Sequence, residues 1–290
     1  MSSNFKSFVL TAVMLVVSLA SAVDAQADKL ADILSKGVVR IIVFSDVPPF
    51  GSVNANREPE GFDIDLARMV AQSLGVKLEL VQATAANRIP YLLTDKADMN
   101  IAAMSVTAER ARQVMYSAPY ADTSLAVFGP KSLAIKSASQ LARSKVSVAK
   151  GTTEDLVLTA VAPGADIMRT EDNATAVQAY LSGQSQLLAA NSVVVVELAK
   201  RNPGKEFDFK FALRRAPAHV TVRMGEHNLL RWIDTFIFQQ SLTGEAAPHE
   251  VQENEPVYAG TTNLSGGGTI SMTTTGAGAA IIGNGGGRLV

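Results

Sequence analysis

Ile101 to Arg112 reads IAAMSVTAERAR, an apolar run that turns polar at Ser105 and Thr107 and then becomes helix-like and basic. The pattern predicts a buried strand ending here, with Ser105, Thr107 and Arg110 facing a cleft. These residue types together suit a small carboxylate. Hydroxyls and backbone N–H groups at a helix start are donors, and a guanidinium is a planar fork that meets a carboxylate with two hydrogen bonds. The same residues fit a plainer arrangement, in which Thr107 caps a helix and Arg110 lies on a solvated face, so the choice depends on the rest of the chain.

Upstream, Val38 to Phe44 reads VVRIIVF, a β-branched and aromatic run of the kind buried on both faces in a parallel sheet. Pro48 and Pro49 cannot continue a central strand, so the chain turns there and presents Asp46 and Phe50 from a loop. Glu60 to Leu66, EGFDIDL, opens an amphipathic helix with Phe62, Leu66, Met69, Val70 and Leu74 on one face, acids in its first turn and Gly75 as its stop. Val76 to Val81 reads as a second strand. A short helix from about Ile89, with Pro90 in its first turn, leads into a strand over Met99 to Met104. Strand alternating with helix predicts an α/β fold with an open sheet, in which ligands bind at the carboxyl ends of the strands. The loops at Asp46 to Phe50 and Ser105 to Arg110 both lie at such ends.

The first residues predict export. Lys6 precedes an apolar and small-residue run from Phe8 to Ala22, and small residues flank a cleavage point after Ala25, the layout of a secretory signal peptide over residues 1–25. The run is shorter than the roughly 20 residues of a membrane span; a retained anchor is the alternative. The mature protein is expected in the periplasm. With no cysteine in the chain, disulfides and a lipid-modified cysteine are excluded. A net charge of −1 with interspersed signs gives no reason to expect nucleic acid or an anionic membrane as partner. His219, His227 and His249 share no metal-ligand spacing, and neither a metal nor a cofactor is expected.

The motifs PPF, EGFDIDLA, NRIPYLL and MSVTAERAR, followed by MYSAPY, resemble the periplasmic solute-binding proteins of polar amino acid ABC transporters, a two-lobed type II fold. The likeness runs from about Gly37 to about Glu245. It implies two open, mostly parallel sheets flanked by helices and joined by two crossover strands, with lobe 1 over residues 28–127 plus 218–245 and lobe 2 over 128–217. The second half fits. Thr123 to Phe128 reads as an extended segment leaving the first lobe, and Ser139 starts a helix. Val146 to Ala149 is a strand, and Lys150 to Glu154, KGTTE, turns it into a helix whose start offers hydroxyls and free N–H groups, or only a cap. Ile167 to Arg169 is strand, Asp172 caps a helix to Leu181, Gln186 to Ala190 is strand, and a helix through Val194 to Lys200 closes at Asn202-Pro203-Gly204. Ala218 to Val222 is the return crossing.

The resemblance implies a site residue by residue. Phe50 matches the aromatic that stacks on the ligand, Ser105 the hydroxyl contact, and Arg110 the arginine that grips the ligand α-carboxylate. Thr152 and Thr153 match the second-lobe contacts to the same carboxylate. Two departures stand out. Ala102 and Ala103 replace serine or glycine, and Asn191 replaces an aspartate that pairs with the ligand α-ammonium. Either another acid supplies that charge, with Asp46 as candidate, or the ligand lacks a free ammonium. The implied protein is a monomeric importer component that closes on a small-molecule ligand, a polar amino acid or related carboxylate, and docks on a permease in the inner membrane. Two other functions are weighed beside it. One is a dehydratase on the same scaffold, for which Asp46 and Glu109 are the only candidate acids; the other is a receptor serving a membrane signalling protein. Residues 226–242 predict an apolar helix, and the glycine- and threonine-rich tail, 246–290, shows no sustained period and reads as flexible.

Overall fold

A computed structural model describes residues 28–244 and three short tail strands at 256–258, 269–271 and 279–283. The signal-peptide reading therefore lies outside the described residues. Strand and helix alternate as the sequence predicts: α1 Lys29–Lys36, β1 Val38–Val43, β2 Ser52–Val53, β3 Pro59–Glu60, α2 Phe62–Leu74, β4 Lys77–Gln82, α3 Arg88–Leu93, β5 Met99–Met104, β6 Val114–Ala121 and β7 Ser124–Gly129. Then follow β8 Lys145–Ala149, α4 Thr153–Val161, β9 Asp166–Thr170, α5 Asn173–Leu181, β10 Leu187–Asn191, α6 Ser192–Arg201, β11 Asp208–Arg215, β12 Ala218–Arg223 and α7 His227–Gly244.

Two five-stranded sheets form, in the orders β4-β1-β5-β12-β6 and β11-β7-β10-β8-β9. In each, one strand, β12 or β7, runs against the others. Val39, Ile41, Ile42 and Val43 of β1 are all buried, as expected of a strand hydrogen-bonded on both edges, to β4 and β5. Pro119 sits in β6, at the sheet edge where a missing N–H costs no ladder bond. Leu229, Ile233 and Phe236 of α7 sink into the first lobe's core, one stripe at helical spacing.

Several readings need correction. The buried face of α2 is Asp63, Ile64, Ala67, Val70, Ala71 and Leu74, while Phe62 and Met69 are exposed; the stripe turns by one position because Asp63 carries out a buried polar task. Segment 218–223 is no crossing but a strand inside the first sheet, between β5 and β6. The chain changes sheets at residues 122–123 and 216–217, whereas the sequence puts the first boundary at 127/128, inside β7. The segment at Ser139 is a 3-10 helix, Ala138–Arg143. In the tail, where no strand period is legible, β13 Pro256–Tyr258, β14 Thr269–Ser271 and β15 Ala279–Gly283 pair as a small antiparallel sheet, β13-β15-β14.

The two crossings are bonded to each other. The N–H of Ala216 donates to the Thr123 carbonyl at 2.7 Å, and the Thr123 hydroxyl donates to the Ala216 carbonyl at 2.6 Å. The Ser105 hydroxyl donates to that same carbonyl at 3.1 Å, so the residue after β5 touches the hinge directly.

Candidate functional site

The three α-helices described in the second lobe, α4, α5 and α6, start at the cleft, because each follows a parallel strand at its carboxyl end. Thr152 caps α4, accepting from the Asp155 N–H at 3.2 Å. Asp172 caps α5, accepting from the Thr175 N–H at 2.7 Å, and Asn191 caps α6, accepting from the Val193 N–H at 3.0 Å. Such caps satisfy N–H groups that the helix leaves unpaired. They also show why an amide suffices at Asn191: its oxygen serves the helix. The Thr152 hydroxyl in turn donates to the Ala149 carbonyl at 2.8 Å.

The first lobe contributes side chains. Asp46 reaches across so that one carboxylate oxygen accepts from the N–H groups of Asn173 at 2.9 Å and Ala174 at 3.1 Å. It thereby occupies the positive end of α5. Burial pushes its pKa up, against those two bonds. Arg110, buried, spans the lobes too: Nη1 donates to the Ser105 carbonyl and the Thr153 hydroxyl, both at 3.0 Å, and Nη2 to the Gly151 carbonyl at 2.9 Å. Burial lowers its pKa. Gly151 has φ +76, and a Cβ there would stand 2.9 Å from the Cα of Ala86 in the opposite lobe. The lobes are in contact.

Between these contacts lie two adjoining cavities. One is lined by Phe44, Arg88, Ser105, Thr152, Thr153, Glu154 and Asn191, among others; the other shares Thr152, Glu154, Asn173 and Asn191 with it and adds Asp46 and apolar residues of β10 and α6. The structure thus brings Ser105, Thr152, Thr153 and Asn191 together, with Asp46 next door. It does not place Phe50 there: that ring is buried in the apolar cluster, and Phe44 supplies the aromatic lining. Arg110 borders neither cavity, and three of its donors go to protein oxygens. Glu109 is exposed.

Three lining residues escape the sequence reading. Arg88 lies across the Phe44 ring, 4.9 Å from its centre, and donates from Nε to the Ala85 carbonyl at 3.1 Å and from Nη1 to the Ala102 carbonyl at 2.7 Å. Burial, with repulsion from Arg110, brings its pKa down to about 9. Glu154, half-buried, lies in the first turn of α4; burial raises its carboxyl, opposed by its own N–H, Arg88 and Arg110. Asn173 carries a buried side-chain nitrogen that has no hydrogen-bond partner among the described residues. The available signal lay inside the motifs themselves, Arg88 in NRIPYLL and Glu154 in KGTTE.

Behind the cavity wall, fully buried Asp63 accepts from the Ala103 N–H at 3.1 Å and the Tyr120 hydroxyl at 3.0 Å. Burial drives its pKa up to about 8. Ala103 has φ +41, a left-handed conformation that glycine would adopt without strain. Among the described residues, no group of three or more His, Asp or Glu could hold a metal ion, and no helix is long and apolar enough to cross a membrane.

Two α/β lobes, crossed twice by the chain and meeting over a polar cavity, define a two-lobed binding protein of the type II periplasmic class. The chain belongs to the bacterial extracellular solute-binding proteins, family 3, whose family model matches residues 39–250. It is 28% identical to the ABC transporter glutamine-binding protein GlnH of Bacillus subtilis over 76% of this chain and 82% of that protein. It is 27% identical to a cyclohexadienyl dehydratase of Pseudomonas aeruginosa over 72% and 82%. A solute receptor for L-cysteine of Neisseria gonorrhoeae superposes with a TM-score of 0.71 at 34% identity, over 74% of this chain and 89% of that one. Residues 233–281 also match the model of the P-type ATPase actuator domain, a likeness absent from the sequence reading of the tail.

Proposed function

We propose that this protein is the periplasmic binding component of an ABC importer, exported through its N-terminal signal, monomeric, and delivering a polar amino acid or related small carboxylate to an inner-membrane permease. The observation that carries this reading is the cavity whose polar lining is drawn from both lobes, Arg88 and Ser105 from one and Thr152, Thr153, Glu154 and Asn191 from the other. A ligand touching both walls binds the closed form better than the open one and so shifts the population toward closure. The test is a thermal-shift screen over amino acids and their carboxylate relatives. At a hundred times its dissociation constant a ligand stabilises by about 2.7 kcal/mol, and silence across the whole screen would remove the proposal.

One observation favours a second reading, an acid–base enzyme. A general acid needs a proton-bearing group held in the cleft with a raised pKa; Glu154 and Asp46 both meet that description, but the Asp46 carboxylate is engaged by two N–H groups of α5 and Glu109 is exposed, which leaves Glu154. The dehydratase relative gives the assay: loss of water from a hydroxylated cyclohexadiene yields an aromatic product visible by absorbance. Turnover abolished by Glu154→Gln would favour this reading; ligand binding without turnover would favour the receptor.

A further inference from the structure

Ser105 is the first residue after β5, is buried, and lines the interlobe cavity beside Thr152, Thr153 and Asn191. Its hydroxyl donates at 3.1 Å to the Ala216 carbonyl in the second crossing. A serine hydroxyl carries a single hydrogen, so this bond to the hinge and a bond to an anionic oxygen in the cavity exclude one another. The Ala216 carbonyl, by contrast, has two lone pairs and a second donor, the Thr123 hydroxyl at 2.6 Å. Thr123 and Ala216 are both buried, so solvent does not replace a donor that leaves. The main chain of Ser105 is held separately, its carbonyl accepting from Arg110 Nη1 at 3.0 Å. The hydroxyl can therefore change rotamer without moving the strand end. On the exposed side the Asp122–Arg215 ion pair joins the two crossings, which keeps them together when Ser105 lets go.

We propose that Ser105, Thr123 and the Ala216 carbonyl form a donor exchange that links ligand arrival to the hinge. An anionic oxygen in the cavity takes over the Ser105 hydrogen bond, Thr123 alone keeps the Ala216 carbonyl satisfied, and the end of β5 is released from the second crossing. The anion wins this competition because a bond to a charged acceptor is about twice as strong as one to a neutral carbonyl. Thr123 lines neither of the two cavities, yet it is a positioning residue for binding. Without its hydroxyl, Ser105 could serve the ligand only by leaving a buried carbonyl unpaired. The exchange rests on the receptor reading above and adds to it a residue that sets affinity from outside the site.

The test is a double-mutant cycle read by calorimetry on the mature protein, with L-cysteine and L-glutamine as probes. Thr123→Val keeps the branched shape and removes the hydroxyl, and should weaken binding by about ten- to a hundred-fold. Ser105→Ala should weaken it by only about three- to ten-fold, since just the difference between the two exchanged bonds is lost. The double variant should bind no more weakly than Ser105→Ala alone, because the Ala216 carbonyl is then unpaired both with and without ligand. A merely structural Thr123 would not give that non-additivity. If a probe binds the wild type but Thr123→Val lowers the melting temperature and shifts affinity by less than about twofold, the exchange is wrong while the receptor reading stands. The same holds if the losses from Thr123→Val and Ser105→Ala add. If neither probe binds the wild type and the wider screen is silent, the receptor reading falls and takes the exchange with it.

Discussion

The two walls of the cleft are built on different principles. The second lobe presents backbone: three helices, α4, α5 and α6, begin there, capped by Thr152, Asp172 and Asn191. The first lobe presents long or charged side chains, Asp46, Arg88 and Arg110, held by buried supports. Backbone N–H groups at a helix start are fixed by the fold and favour any anion. Side chains are costly to order and carry the specific geometry. The contrast suggests a division of labour, with a generic electropositive wall closing on a specific one, and each of four changes tests part of it.

The largest effect belongs to Arg110, where one cation holds the two walls together. Arg110→Ala deletes three hydrogen bonds from a buried cation, each of the kind that contributes about 1.5–3 kcal/mol. We expect ligand affinity to fall by about a hundred-fold or more, and small-angle scattering at saturating ligand to show an open form. Arg110→Lys should recover only part, since an ammonium cannot reproduce the fork. Affinity within about threefold of the wild type would show that the walls close without this bolt.

Next is Gly151. Alanine there takes on a left-handed backbone worth about 1 kcal/mol and a Cβ 2.9 Å from the backbone of Ala86. Gly183, with φ +81 and nothing within 4 Å, provides the control: its alanine variant bears the same strain without the clash. Both variants should lose similar melting temperature, but only Gly151→Ala should lose affinity, by about ten-fold. Equal affinities would mean that the walls need not approach this closely.

How much of this was legible beforehand follows the same division. The strand end at Ser105 and the cap at Thr152 and Thr153 were legible as local structure, a strand running into a turn or a helix start, whereas Arg110, expected to face the ligand, borders neither cavity. Arg88, Glu154 and Asn173 were not legible, since their meaning lies in facing one another across lobes some 66 to 85 positions apart in sequence. Phe50 and Phe44 differ only in which way the ring turns about two prolines, and a loop sequence does not state that. The α2 face failed for a related reason. Periodicity assigns apolar residues to the core and cannot anticipate that Asp63, buried to brace Ala103, rotates the stripe away from Phe62 and Met69.

A smaller effect is expected at Asp46, where the two kinds of wall meet. Asp46→Asn keeps an acceptor for the Asn173 and Ala174 N–H groups but removes the charge from the α5 terminus, a helix-dipole interaction worth about 0.3–1 kcal/mol, or up to about 2 when partly buried. Affinity should fall by about two- to thirty-fold. Protonation has the same consequence. Since burial holds this carboxyl above its ordinary 3.8, wild-type affinity should begin to drop at a higher pH than an ordinary aspartate would give, and Asp46→Asn should flatten that drop.

The smallest effect on binding, though a clear one on stability, concerns the support behind the first wall. Asp63 is an acid whose pKa in the folded protein, about 8, lies above its ordinary 3.8, so the folded chain holds this proton more tightly than the unfolded chain. Unfolding then releases a proton between those limits, and stability from this group falls as pH rises from about 4 to about 8 and levels off above. Asp63→Asn cannot titrate, yet its amide oxygen can still accept from Ala103. The wild-type melting temperature, followed relative to this variant, should therefore decline across that window, while ligand affinity at pH 6 stays within about twofold. A flat difference would mean that water or relaxation solvates the carboxylate. A large loss of affinity would mean that Asp63 acts on the ligand itself rather than through the wall it braces.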